Sequence, residues 1–127
     1  MSRLVLDAGA LIALDRNDRA MWARLATARR ARQPLVTHAG VLGQVWRHPT
    51  RQARLGQVLD ALDVRPLTRE LAQRAGLLLA ATGHDDVHDA ALALLCESGD
   101  VLYTGDITDL GLLLAERRTH SVSLVRV

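Results

Sequence analysis

Eleven of the fourteen acidic residues in this 127-residue chain are Asp, and five of them fall where a fold can gather them. Asp7 directly follows the apolar run Leu4-Val5-Leu6, and Asp106 follows Val101-Leu102-Tyr103-Thr104-Gly105. Asp109 comes three residues later, and Asp86 and Asp89 are also three apart, so each of these spacings stays within one helical turn. Two carboxylates about 4 Å apart repel by roughly 1 kcal/mol in water and by several times more in a shielded cleft. A cluster of four or five therefore implies a bound cation. Oxygen ligands suit a hard divalent ion, Mg²⁺ with Mn²⁺ as a substitute, which keeps some of its waters. The blander account is that Asp86, Asp89 and Asp109 are first-turn acids facing helix dipoles. Asp7 has a weaker capping motive, and its coincidence with Asp106 at a second strand end points to metal.

The elements that must position these acids alternate. Leu4–Leu6 reads as a buried strand feeding a helix that opens at Ala8. A helix over 18–32 is broken by Pro34 before the strand Leu35-Val36-Thr37, and 38–48 is helical up to Pro49. A helix over 51–62, a short strand at 64–66, and a helix from the cap Thr68 to the terminator Gly83 follow. Next come an apolar helix over 86–98, a strand at 101–103, a helix over 107–117 and an alternating strand over 121–127. This order predicts one α/β domain, residues 1–127, with helices on both faces of a mainly parallel sheet of about five strands. The working site of such a sheet lies beyond the carboxyl ends of its strands, where the strand order reverses.

Composition narrows the functions further. Hydrophobic residues make up 49% and charged residues 24%, which excludes disorder and fibrous repeats. Aromatic residues are only 2% and Phe is absent, which disfavours stacking platforms for nucleic-acid bases and makes phosphates the main handle. Every basic side chain among the sixteen is Arg, and the net charge of +2 averages an acidic cleft against a more basic exterior. Cys96 lies in an apolar helical run and reads as a buried, inert thiol. No stretch suits a membrane span or a signal peptide, so a soluble, cytoplasmic protein is expected.

The opening LVLDAGALIAL, the helix GVLGQVWR, the stretch DVHDAALALL and the segment LYTGDITDL resemble the four ordered blocks of PIN-domain ribonucleases, most closely the VapC-type toxins of bacterial toxin–antitoxin pairs. The likeness spans nearly the whole chain. It implies a three-layer α/β/α domain, divalent-metal-dependent endonuclease activity on RNA, and inhibition by a small VapB-like antitoxin. Carried over by position, it implies metal ligation by Asp7, Asp89 and Asp106, with Asp109 as a further acid. Thr104 matches the hydroxyl residue beside the site, and Asp86 an acid one turn before Asp89. The chain departs at Gln44, where the family usually has Glu; the amide keeps an oxygen but removes a charge. Gly40, one turn before Gln44, is expected to leave room for metal-bound water.

Arg47 and His48, just beyond Gln44, are candidates for an RNA-binding rim, against the alternative of solvated helix-end charges. The Arg29-Arg30-Ala31-Arg32 run reads either as a solvated helix end or as an RNA or antitoxin contact. His38, His48, His84, His88 and His120 lack zinc-site spacing beyond the pair His84/His88. Trp22 and Trp46 read as packing residues. Apolar residues between Asp18 and Leu62 are candidates for a homodimer or antitoxin surface. Two other classes remain open: a PIN-like protein that binds RNA or antitoxin without cleaving, favoured by Gln44, and a phosphoaspartate enzyme, disfavoured because Asp7-Ala-Gly lacks a second acid two residues on.

Overall fold

The computed structural model describes residues 2–117 and 121–127; His120 lies outside them. The elements run β1 (Leu4–Leu6), α1 (Ala8–Asp15), α2 (Arg19–Arg30), β2 (Leu35–His38), α3 (Ala39–Val45), α4 (Ala53–Leu59), β3 (Leu62–Arg65), α5 (Arg69–Thr82), α6 (Val87–Leu95), β4 (Val101–Thr104), α7 (Ile107–Arg117) and β5 (Ser123–Arg126). The five strands form one sheet in the order β3-β2-β1-β4-β5, and every pairing is parallel. The chain walks from β1 to β3 in one direction, then crosses back through α5 and α6 to β4 and β5. Right-handed crossovers place helices reached in opposite directions on opposite faces. Accordingly α1 packs with α2, α3 and α4, and α5 packs with α6 and α7. This is the expected α/β architecture, with every strand of the sheet parallel.

Burial follows from position in the sheet. All three residues of central β1 are buried, as a parallel strand covered on both faces requires, whereas edge strand β5 has no buried residue. Leu6, Leu11, Leu14, Leu55, Leu92, Leu102 and Leu110 are fully enclosed, so Leu supplies the volume that Phe would elsewhere. Each contributes roughly 1.5–3 kcal/mol. In α6 the run Ala90-Ala91-Leu92-Ala93 is completely buried, and the small side chains let the helix axis lie close to its neighbours.

Several boundaries move from the expected ones for identifiable reasons. The third strand occupies Leu62–Arg65 instead of 64–66, because Leu62 is in register with Leu35 and Pro66 has no N–H to extend the ladder. The helix expected over 51–62 accordingly ends at Leu59. The helix expected to begin at His38 begins at Ala39, with His38 as its cap, and it ends at Val45, whose carbonyl accepts from Gln52 Nε2 (2.8 Å). The helix expected to reach Ser98 stops at Leu95, where Cys96 turns extended. Its end is held by two guanidinium groups: Arg3 Nη2 donates to the Leu95 carbonyl, and Arg117 Nη1 donates to the carbonyls of Ala93 and Cys96. Thr68 and Gly83 cap α5 as expected, Gly83 at φ 75°. Cys96 is buried and its thiol is pushed up to about 12 by desolvation, which leaves it inert. Among the described residues no helix is long and apolar enough to cross a membrane.

Candidate metal centre

The strand order reverses between β1 and β4, and the acids lie beyond the carboxyl ends of these two strands. Asp7 follows β1 and is 5% exposed. Its Oδ1 accepts from the Ala10 N–H (2.9 Å) and its Oδ2 from the Gly105 N–H (3.1 Å). One carboxylate thus caps α1 and ties the β1 loop to the β4 loop. That capping role corrects the expectation that Asp7 lacked a strong one. The two loops touch through glycines: a Cβ on Gly9 would stand 2.9 Å from the Gly105 amide nitrogen and 3.2 Å from Asp7 Oδ1.

Asp106 lies at the exposed tip of the β4 loop. The buried Thr104 hydroxyl accepts from the Asp106 N–H (2.8 Å), and Asp106 Oδ1 accepts from the Asp109 N–H (3.0 Å). That donor holds Asp106 below the ordinary carboxylate range, while the neighbouring Asp106 pushes Asp109 above it. Asp86 caps α6 through the amides of His88 and Asp89. The helix-end account given for these acids is therefore correct for Asp86, while Asp89 behaves differently. Its half-buried carboxylate accepts no hydrogen bond from any described residue. Desolvation first, then the charges of Asp86, Asp7, Asp106 and Asp109, raise it to about 7. The fields of four other acids thus converge on Asp89.

The donor set fits a hard cation in kind: oxygen ligands, excess negative charge, and a desolvated carboxylate with nothing to neutralise it. The acids are not drawn into a coordination shell, however. Among the described residues no three His, Cys, Asp or Glu side chains stand in an arrangement that holds a metal ion.

The other candidates fall outside this gathering of acids or at its margin. Gln44 is exposed near the end of α3. Gly40 does not make room for water: a Cβ there would lie 2.2 Å from His88 Nδ1, so the space is filled by the His88 ring. Arg47 closes the end of α3, its Nη1 donating to the carbonyls of Gly43 (2.8 Å) and Trp46 (2.7 Å). His48 is exposed, and its N–H donates to Gln52 Oε1 (2.9 Å). His84 and His88 diverge, His84 Nδ1 lying 3.8 Å from Asp109 Oδ1 while the His88 ring faces His38. Trp22 and Trp46 pack against the core, and the Trp22 indole N–H donates to the Leu14 carbonyl (3.0 Å). The large exposed apolar side chains among the described residues are Ile12, Leu77 and Leu112, none of them between Asp18 and Leu62.

Sequence reasoning passed over His38. It is fully buried, accepts the Gly40 N–H at Nδ1 (3.0 Å), and through Nε2 donates to the His88 carbonyl (2.8 Å). This pattern assigns the neutral tautomer, and burial lowers its pKa accordingly. One imidazole thereby caps α3 and fixes the first turn of α6 beside Asp89. The available signal was its place at the end of the buried strand Leu35–Thr37, where a helix cap is due.

A chain of the VapBC2 structure from Rickettsia felis, solved bound to a DNA fragment from their promoter, matches with a TM-score of 0.67 over 98% of both chains at 14% identity. This chain shares its α/β fold with that VapBC2 chain. No protein-family model and no curated protein matches the sequence. The likeness covers β1 through β5, so the acids sit within the shared fold.

Proposed function

We propose that this protein is a divalent-metal-dependent endoribonuclease acting as the toxin of a toxin–antitoxin pair. One observation carries the reading: at the switch point of the sheet, Asp89 is half-buried, accepts no hydrogen bond from a described residue and lies in the field of four other carboxylates. Asp7, Asp89 and Asp106 would hold Mg²⁺ or Mn²⁺, with Asp109 as the fourth acid and Gln44, Asp86 and Thr104 around them. When bound, such an ion supplies an activated water for in-line attack on an RNA phosphodiester and offsets repulsion between acids and phosphate.

The residues of this chain prepare that chemistry. Asp7 fixes the spacing of the β1 and β4 loops through its two backbone donors. Thr104 orients the Asp106 loop by accepting its amide. His38 sets the turn that carries Asp89. Asp89, the one acid of these without a hydrogen-bonded structural duty, is the group best placed to exchange a proton for a cation near neutral pH.

In this reading residues 1–127 act as one cytoplasmic domain, as a homodimer, restrained by a VapB-like antitoxin. The Rickettsia felis complex, found on promoter DNA, extends the reading to joint promoter binding. The test is cleavage of RNA with Mn²⁺ against EDTA, with Asp89→Asn as the inactive control. Cleavage that survives EDTA and the substitution, or no cleavage of any RNA by antitoxin-free protein, removes the assignment.

A second reading is a PIN-like protein that binds RNA or antitoxin without cutting. Gln44 in place of an acid favours it, as does the separation of the acids. RNA binding without Mn²⁺-dependent cleavage would select it.

A further inference from the structure

Four arginines are engaged elsewhere in the fold. Arg3 forms a bidentate pair with the buried Asp100, Arg117 closes α6, Arg47 closes α3, and Arg65 pairs with Asp63 (2.7 Å). Two arginines beside the acidic cleft are different.

Arg126 ends β5 in register with Thr104, the residue that holds the Asp106 loop. Side chains of in-register residues share a face, and Arg126 lies on the same face as Leu124, which approaches α7 at Gly111. Arg126 is exposed and forms no ion pair within 4 Å among the described residues.

Arg24 comes from α2, on the opposite face. Its guanidinium carbon stands 5.4 Å from the centroid of the Tyr103 ring, and Nη1 reaches the Arg126 carbonyl (3.5 Å). Tyr103 occupies β4 one residue before Thr104, so alternation sends the two side chains to opposite sides of the sheet. Arg126 and the Arg24 that reaches Tyr103 thus belong to opposite faces of the β4–β5 pair, at its carboxyl end where the loop to Asp106 begins. The aromatic ring holds Arg24 in place at little entropic cost while most of its five N–H donors stay unused.

We infer that Arg24 and Arg126 form the phosphate-binding lip of the cleft, which seats the sugar–phosphate backbone of single-stranded RNA on the side of Asp106, in place of the Arg47 and His48 rim. A planar guanidinium fork matches a phosphate oxygen pair, and backbone recognition is what a chain with so few aromatic side chains has available. An acidic cleft also needs positive charge just outside it, because approaching phosphates are repelled until they reach the cation. The inference rests on the RNA reading of the site but does not depend on cleavage.

The experiment measures binding of a mixed-sequence single-stranded RNA across a salt series, in EDTA and in the Asp89→Asn background, so that nothing is cut. Arg24→Gln and Arg126→Gln should each lower the slope of log K against log salt by about 0.7, the share of one phosphate contact on a single strand. Arg24→Lys and Arg126→Lys should retain the slope, and Arg54→Gln, at an exposed position of α4, should leave it unchanged. In the otherwise native enzyme the Gln variants should raise KM and leave kcat in place. Full slopes in both Gln variants, with the native enzyme still cutting RNA, overturn the lip and spare the nuclease reading. Unchanged RNA binding with weakened binding of a polyglutamate peptide assigns the surface to an acidic protein partner and also overturns it. RNA binding that follows the predicted slopes without any cleavage upholds the lip and removes the nuclease. Absence of both binding and cleavage overturns the two together.

Discussion

Replacing Asp89 with Asn should stabilise the metal-free protein at neutral pH. In the fold this carboxyl is raised from 3.8 to about 7, first by desolvation and then by four neighbouring acids. At 1.36 kcal/mol per pH unit that corresponds to about 4 kcal/mol, and solvent screening of a half-exposed group brings it to about 2 kcal/mol. The sign follows from linkage. Because the folded state holds the proton more tightly than the unfolded chain, the native protein loses stability as pH rises from about 4 through about 7, and the loss levels off above that. Asn cannot ionise, so the variant should match the native protein near pH 4 and exceed it by about 2 kcal/mol at pH 8 in EDTA. Urea unfolding across this range measures both curves, and their difference cancels the contribution of the shared histidines. Saturating Mn²⁺ should reverse the order, since a ligand at a hundred times its Kd adds about 2.7 kcal/mol to the native protein. Parallel pH curves, or equal Mn²⁺ stabilisation of both proteins, would refute the placement of Asp89 among unneutralised acids.

Gly9→Ala should cost about 1–3 kcal/mol in urea unfolding and lower cleavage, since the clash is with the backbone of Gly105, which cannot rotate away. Gln44→Glu should tighten Mn²⁺ binding in calorimetric titration; an unchanged Kd places residue 44 outside the site. Arg3→Ala should destabilise by about 3–5 kcal/mol, because Asp100 is 2% exposed and loses its bidentate partner. Burial alone would raise Asp100, but the hydrogen bonds from Arg3 outweigh it and hold the carboxyl below its ordinary range. Stability from this pair should therefore be present at neutral pH and fade as pH falls through the acid range, a loss that the Arg3→Ala protein should lack.

The parts of this fold visible from sequence were those written in local chemistry. Leu4-Val5-Leu6 announces a buried strand by composition, Thr68 and Gly83 announce the ends of α5, and the alternation of strands and helices implies the parallel sheet. The position of Asp7 at a strand end was equally legible, and its cap on Ala10 is local, but its tie to the β4 loop was not, because the Gly105 donor is 98 positions away. The same reason hides His38 and Arg126. Each acts through the other end of a long crossover, His38 on the carbonyl of His88 and Arg126 alongside Thr104. Arg47, in contrast, was drawn to the cleft by its closeness in sequence to Gln44, whereas its guanidinium satisfies carbonyls of its own helix.

The strand order also sets when the site can exist. β1 pairs with β4, so Leu4 must wait for Val101, and Asp7 waits for Asp89 and Asp106. Chains emerge from the ribosome N-terminus first, and pairings of such long sequence separation form last. A chain that stops anywhere before β4 holds one acid of the cleft, or at most the three from Asp7, Asp86 and Asp89, with no second strand end to seat them. Full assembly of the cleft therefore coincides with near-completion of synthesis, and a chain cut short before β4 cannot present it.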